Sequence, residues 1–549
     1  MSTSETIADL TLEDETDQLA GCESSVDEST RPRGQRACGR PVREYLFFTV
    51  CAILYILPFT RVLLLGTDEG LLVYGAVRVV QGQVFARDFF EVVGPGTFYW
   101  VALFFRLFGV TFFAVRACLF VTSLGIALLS FALSRRVCVR YRALPCLVIG
   151  ATSFGALWPT ISHHVDSNCA ALLCVFIITV WLDTDKPKLL WVGGIAAGVT
   201  ACFHLPKGVL VFFALLLWLF AQRQRRPAWL RNAVHLTAGF AGVLGCVLLY
   251  FWSQHAAWDL LNATFIWPSQ HYGGVNQVSY AHGIFGEYWD VWGFDASRLQ
   301  WTMGLAALLI FPHLVIAALP VLLPLLGLSD RSSFSRPEIS LYWLTGWAIW
   351  YSEFHRKDIY HLVFGAPLLV ILTVYYLQRS RHRIAGVCLQ LVMISAVGLA
   401  LASLGLASVA HSTQTRVGSV SIFKPDPVEA QMELRIPVGQ EILVYPSNPE
   451  YYFLSETRNP IRYGGLMYNY NSQAEFQNVV AILDQHKIKY VVWDTGYMAW
   501  NLKATFPSAT PPTPEQLVVE PYLESHYLTV WEDGGVKIME RKAEVDAAK

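Results

Sequence analysis

Apolar stretches close to the ~20 residues that cross a bilayer recur along this chain from about residue 45 to residue 410, and this recurrence restricts it to a polytopic α-helical membrane fold. Composition agrees: 54% of the 549 residues are hydrophobic and 15% are charged, against about 25% charged in soluble domains. The net charge of -1 says nothing about nucleic acid, but there is no basic patch interleaved with aromatics outside the membrane-flanking loops, and no nucleic-acid partner is expected. All 11 cysteines precede residue 389, so the polar C-terminal part has no disulfide framework. No Cys/His spacing matches a structural zinc site, and the cysteines read as small apolar fillers.

Apolar runs near 44–66, 113–134, 143–160, 166–182, 188–203, 207–221, 232–252, 301–325, 339–353, 359–377 and 384–408 are candidate spans. The run 97–108 covers only about 18 Å of a ~30 Å core. Charge decides its placement. If it does not cross, the basic loops at Arg135-Arg136, Arg223 to Arg226 and Arg379 to Arg383 share one side with the arginines of the N-terminal tail, as the excess of Lys and Arg in cytoplasmic loops requires. The expectation is therefore about eleven transmembrane helices, with 97–108 an interfacial or re-entrant helix. The N terminus would be cytoplasmic and the C-terminal domain external. No cleavable signal peptide is expected. Residues 1–43 read as a disordered cytoplasmic tail, and residues 44–409 as the membrane domain with external loops 67–112 and 253–300. Residues 410–549 read as a soluble α/β domain. Its expected parts are strands at 441–445 and 489–493, a helix at 474–486, and the turn Asp533-Gly534-Gly535 between two final strands.

In this topology the ionisable residues of the external loops and span ends gather on one face of the membrane. They are Asp68 and Glu69; Asp88 and Glu91; His163, His164 and Asp166; His204 and Lys207; and His355, Arg356, Lys357, Asp358 and His361. Each has an ordinary structural reading: Thr67, Asp68, Asp166 or Asp358 as a helix cap, the histidines as interfacial side chains, Lys207 as a snorkelling cation. Two considerations favour a reaction site. Cations in tight external hairpins oppose the inside bias, and phosphate is a reason to keep them. Carboxylates and cations converging on one face suit a reaction between an anionic lipid and a polar acceptor, with Asp68 as general base. There is no Walker A loop, Rossmann glycine fingerprint or Gly-x-Ser-x-Gly elbow, so no nucleotide cofactor is expected.

The order Asp68-Glu69, Tyr74, Arg78, Gly82, Asp88-Phe89, Glu91, Pro95, then Leu103-x-x-Arg106-Leu107-Phe108-Gly109 and Arg116 resembles the GT-C glycosyltransferases. It is most like the family-39-like branch of protein O-mannosyltransferases and the lipid A aminoarabinose transferase. His204-Leu205-Pro206-Lys207-Gly208 resembles a Lys-Gly step later in those proteins. The resemblance covers roughly residues 44–380. It implies a polyprenyl-phosphate-linked sugar donor, and a lipid, glycan or protein acceptor. It also implies inverting transfer of a hexosyl or pentosyl group on the periplasmic or extracellular face. It assigns the base role to Asp68 with Glu69 beside it and Asp166 as a second acid. It implies that a divalent metal ion can bind at Glu91, with His271 as a further ligand. Where some relatives have lysine after that acid, this chain has Val92. The donor phosphate would then fall to Arg87, Lys207, Arg356 or Lys357. Asp88, His163, His164, His355 and His361 would complete the pocket. The rival readings are a secondary transporter, whose charged groups and broken helices sit at the bilayer midplane, and a GT-C-like scaffold without activity.

Overall fold

The structure is a computed structural model and describes residues 40–64, 67–153, 158–272, 277–280, 302–468, 470–496 and 508–543. The expected disordered tail lies outside the described residues as far as residue 39, as do residues 273–276 and 281–300 of the second external loop. Residues Met1–Thr49 and Val50–Lys549 are separate compact units. All that follows concerns the second, apart from the start of the first helix.

Every candidate span contains a helix among the described residues. In chain order the helices are α1 (Arg40–Ile56), α2 (Thr67–Val80), α3 (Gly96–Phe108), α4 (Phe112–Val137), α5 (Leu144–Ser153), α6 (His163–Thr184), α7 (Pro187–Phe203), α8 (Leu205–Ala221) and α9 (Trp229–Ser253). After the short α10 (Ala257–Leu261) come α11 (Thr302–Ser329), α12 (Pro337–Glu353), α13 (Ile359–Gly365), α14 (Pro367–Arg379) and α15 (Arg383–Ser408). The expected eleven crossings need correction, because length and not existence fails. Six helices among the described residues are long and apolar enough to cross a membrane, and seven if α13 and α14, bent by 71° at Ala366, count as one. The helices α3, α5, α7 and α8 are apolar but span only 10–17 residues, or about 15–26 Å of rise.

The ends of α6 show how the helices are ordered. Its 22 residues rise about 33 Å. At its C-terminal end Arg136 pairs with Asp183, and Arg226 with Asp185. At its N-terminal end lie His163, His164 and Asp166. The basic loops and the candidate site residues thus occupy opposite ends of this helix. Between them Trp181, Trp218, Tyr342 and Tyr375 are fully buried in the largest apolar core.

The C-terminal part contains a hairpin, β1 (His411–Thr415) and β2 (Gly418–Ile422), then α16 (Pro427–Arg435), β3 (Ile442–Tyr445), α17 (Glu450–Leu454), α18 (Gln473–Gln485), β4 (Tyr490–Asp494), α19 (Val519–His526), β5 (Tyr527–Asp533) and β6 (Val536–Arg541). The sheet order is β3-β4-β6-β5, with β3 and β4 parallel and the other pairs antiparallel. The expected strands, helix and final turn are all present; the hairpin, α16, α17 and α19 are additional. Successive strand residues point to opposite faces, and here both faces are buried. Leu443, Tyr445, Val491, Trp493 and Met539 pack under α18 and α19. Ile442, Val444, Val492 and Ile538 share a core with Val73, Phe98 and Val101 of α2 and α3. The sheet is therefore continuous with the loop that carries Asp68.

Two close approaches explain glycines. A Cβ on Gly94 or Gly96 would meet Cys202 O at 2.5 and 2.8 Å, so the Gly94-Pro95-Gly96 turn lies against the end of α7. A Cβ on Gly194 would stand 2.0 Å from Leu236 O, and one on Gly239 2.0 Å from Trp191 O, which brings the α7 and α9 backbones together. Gly242 has open space in its place. Overpacking costs about 1–3 kcal/mol, occasionally more. Gly194→Val should therefore lower the unfolding temperature of detergent-solubilised protein by several degrees, whereas Gly242→Val should leave it unchanged.

Candidate active site

Asp68 and Glu69 are adjacent in the first turn of α2 but face different surroundings. Glu69 is 2% exposed. Its Oε1 and Oε2 accept from Arg116 Nη1 and Nη2 at 2.7 and 2.9 Å, and Oε1 also accepts from Ile161 N at 2.8 Å. Arg116 donates further to Pro159 O at 2.7 Å and lies over the Phe112 ring. This ties the start of α2 to α4 and to the segment before α6. Both Glu69 oxygens are occupied, so it anchors the helix instead of standing open beside Asp68 as expected for a catalytic carboxylate.

Asp68 is solvent-exposed, and its carboxylate makes no hydrogen bond or close ion pair among the described residues. Protein nonetheless surrounds it closely enough that burial raises its pKa. Arg356 and His361 pull the pKa back down, and Asp358 pushes it up. The space between Asp68, Glu91 and the loop holding Arg356, Asp358 and His361 is the recess of the candidate site. Opposite Asp68, the loop between α12 and α13 is internally paired. Asp358 caps α13 by accepting from His361 N at 3.0 Å, and its carboxylate also pairs with Arg356 Nε and with His361 Nδ1. Burial opposes the charge on Asp358, but His361 and Arg356 outweigh it and hold that carboxyl well below its ordinary range. Glu91 is the second carboxylate of the recess. Burial lifts its pKa to about 8, against the favourable charge of Arg78 and the Gly464 N–H, and Asp68 adds to the rise. A Cβ at Gly464 would be 2.2 Å from Glu91 Oε1, so glycine is what lets the C-terminal part reach this carboxyl.

Behind this recess lies a paired histidine, glutamate and lysine group. Lys207 is 0% exposed. Its Nζ pairs with Glu353 Oε1 at 2.6 Å and donates to Asn168 Oδ1 at 2.6 Å. The other Glu353 oxygen pairs with His164 Nδ1 at 2.8 Å. The enclosed, neutralised Lys207 does not present a charge to a donor phosphate, which corrects its expected role. Glu353 is not among the expected site residues, although it ends the apolar span 339–353, and a carboxylate inside such a span is itself the signal.

Other expected residues stand elsewhere. Asp166 is 3% exposed and accepts from Thr97 Oγ1 at 2.9 Å and Thr122 Oγ1 at 3.1 Å, so it joins α6 to α3 and α4. Ser162, not Asp166, caps α6. Arg87 pairs with Asp88 at 2.8 Å and donates to Gln254 O at 2.7 Å, holding the Asp88 carboxyl below its ordinary range. Lys357 lies over the Phe354 ring. His355 is exposed, with its ring 5.6 Å from that of His361. His271 stacks on Trp267, and its Nδ1 lies 3.1 Å from Trp267 O. No hydrogen bond, ion pair or ring contact joins His271 to Glu91 among the described residues. Among the described residues, neither belongs to a group of three or more ligating side chains close enough to hold an ion. An apolar groove of about 890 Å³ between α8 and α9, lined by Phe213, Leu217, Trp229 and Ala241, holds no ionisable side chain and is no rival reaction site.

Removing one partner of a buried ion pair costs about 3–5 kcal/mol. Glu69→Gln should therefore lower the unfolding temperature markedly in detergent, without removing a charge from the recess. Glu91 binds its proton more tightly when folded, so its contribution is full below its ordinary 4.5 and is lost as pH rises toward about 8. Glu91→Gln should flatten the decline in unfolding temperature over that window; an unchanged slope would assign the decline to other groups.

No protein-family model matches the chain, and no curated protein matches it.

Proposed function

We propose that this chain transfers a sugar from a polyprenyl-phosphate-linked donor to an acceptor at the external face of the membrane, with Asp68 as general base. The observation that carries the reading is the recess at the start of α2. It holds an exposed carboxylate without a bonded partner, and Arg356 and His361 act on its charge. A base works best with its pKa drawn toward the working pH, and burial moves Asp68 in that direction.

In the proposed step an acceptor hydroxyl attacks the anomeric carbon and passes its proton to Asp68. The carbon–oxygen bond to phosphate breaks, and the phosphate leaves with the bonding electrons on the opposite face, so the anomeric configuration inverts. Arg356 and Lys357 stabilise the departing phosphate by charge. Glu91, protonated near neutral pH with its pKa at about 8, donates a hydrogen bond to the sugar or acceptor. Glu69 and Asp166 position the helices. The order of basic loops and site residues along α6 supports an external recess with a cytoplasmic N terminus.

In a transfer assay with a synthetic polyprenyl-phosphate sugar, Asp68→Asn should reduce turnover by at least about 10²-fold while the protein stays folded. Turnover by the wild type should rise with pH through a value above the ordinary 3.8 of an aspartate, because the base must be ionised. Normal turnover by Asp68→Asn would remove the proposal. Arg356→Gln should weaken donor binding more than acceptor binding.

A further inference from the structure

Three histidines at one end of the helices are unaccounted for by the proposed reaction. His163 and His164 open α6, and His204 lies at the junction of α7 and α8. One ring nitrogen from each can be chosen so that all three lie within 4.8 Å of one another. The ring centroids of His163 and His164 are 3.9 Å apart, and those of His163 and His164 lie 5.5 and 5.2 Å from that of His204. Clustered imidazoles in an apolar surrounding need a reason, since an unpaired buried polar atom costs about 1–3 kcal/mol. His204 is 9% exposed, and its buried Nδ1 has no hydrogen-bond partner among the described residues. The group therefore has lone pairs or protons that the protein does not satisfy.

Neighbouring groups hold the rings of this cluster in place. Glu353 pairs with His164 Nδ1 at 2.8 Å, which leaves Nε2 as the ring nitrogen not engaged by that carboxylate. A carboxylate on the far nitrogen of a ligating histidine fixes the ring and raises its basicity. Phe364 stacks parallel to the His164 ring at 5.3 Å and holds its plane. Glu353 in turn is held by Lys207, which is itself held by Asn168. His361 stands beside His164, with its Nδ1 committed to Asp358. His163 is only partly buried, which leaves a side of the group open to solvent.

The geometry points to a three-histidine site for one divalent transition-metal ion, bound by His163, His164 and His204, with Glu353 orienting His164 and water completing the coordination. Tetrahedral coordination at ~2.0–2.1 Å puts ligand nitrogens roughly 3.3 Å apart, so small rotations of the three rings from their present spacing suffice. Imidazole donors select zinc-like ions over magnesium or calcium. A hydroxide in the open position would offset part of the ion's charge, which the already neutral Glu353–Lys207 pair does not. The ion would clamp the start of α6 to the α7–α8 turn. This site is separate from Glu91 and His271 and does not depend on the reading of the reaction.

The test uses full-length protein without a histidine tag, purified in detergent, stripped with a chelator and titrated with Zn²⁺ and Co²⁺. One ion per chain is expected, with a rise in unfolding temperature, as for any ligand that binds only the folded state, and no response to Mg²⁺. His164→Gln and His204→Gln should each weaken binding by at least about tenfold; Glu91→Gln and His271→Gln should not. His204→Cys should retain binding and add a sulfur-to-cobalt charge-transfer band, which identifies position 204 as a ligand even if His204→Gln folds poorly. Absence of stoichiometric binding would overturn the site. So would binding by His204→Cys without the sulfur band, or binding lost in His271→Gln and kept in His204→Gln.

Discussion

The arrangement rests on the ion pair between Glu69 and Arg116. Both side chains are nearly without solvent contact, and the contact is bidentate. Two charges withdrawn from water require each other, so the pair admits little displacement. Through it the first turn of α2 is fixed to α4, and through Pro159 and Ile161 to the segment leading into α6. Asp68 is the next residue back along the chain. Its direction is set by its neighbour, which is why it can face the recess without holding any partner of its own.

The charges around it follow a consistent rule. Lys207, Glu353 and His164 satisfy one another, as do Arg356, Asp358 and His361, and as do Arg87 and Asp88. Ionisable groups in an apolar setting are tolerated when paired. Against that background Asp68 is, among the described residues, a carboxylate of the group left without a bonded partner. A reaction site needs one such group, together with neighbours that keep it from drifting to an unreactive pKa.

Much of the fold was legible in the sequence because apolar periodicity and β-rich runs are local signals. Each of the eleven runs contains a helix among the described residues, and the strands, helix and turn of the C-terminal part lie within a residue or two of their expected positions. What failed was the step from helix to crossing. The short α5 shows that an apolar run can be buried by neighbouring helices as well as by lipid, and composition cannot tell these apart. The site was legible as a set of residues but not as a set of roles. Glu69, Asp166 and Lys207 looked available because their partners, Arg116, Thr97 and Thr122, and Glu353, are 47, 69 and 44, and 146 residues away in the chain. Only the fold reveals that they are committed. Asp358 shows the reverse: the expected helix cap is present, and the same carboxylate also holds Arg356 and His361.

The clasp between α2 and the C-terminal part has one more consequence. Arg78 Nη1 donates to Ile461 O at 3.0 Å, and Asn459 N donates to the Tyr74 hydroxyl at 2.7 Å, closing chain separations of 383 and 385 residues. During biosynthesis the early loop therefore emerges long before these partners exist. The first turn of the helix carrying Asp68 can be fixed early, by Arg116 and Ile161, but the helix acquires these two later contacts only once residues 459–461 have been made. Assembly order thus works as a safeguard: the recess is completed only in a chain synthesised nearly to its end.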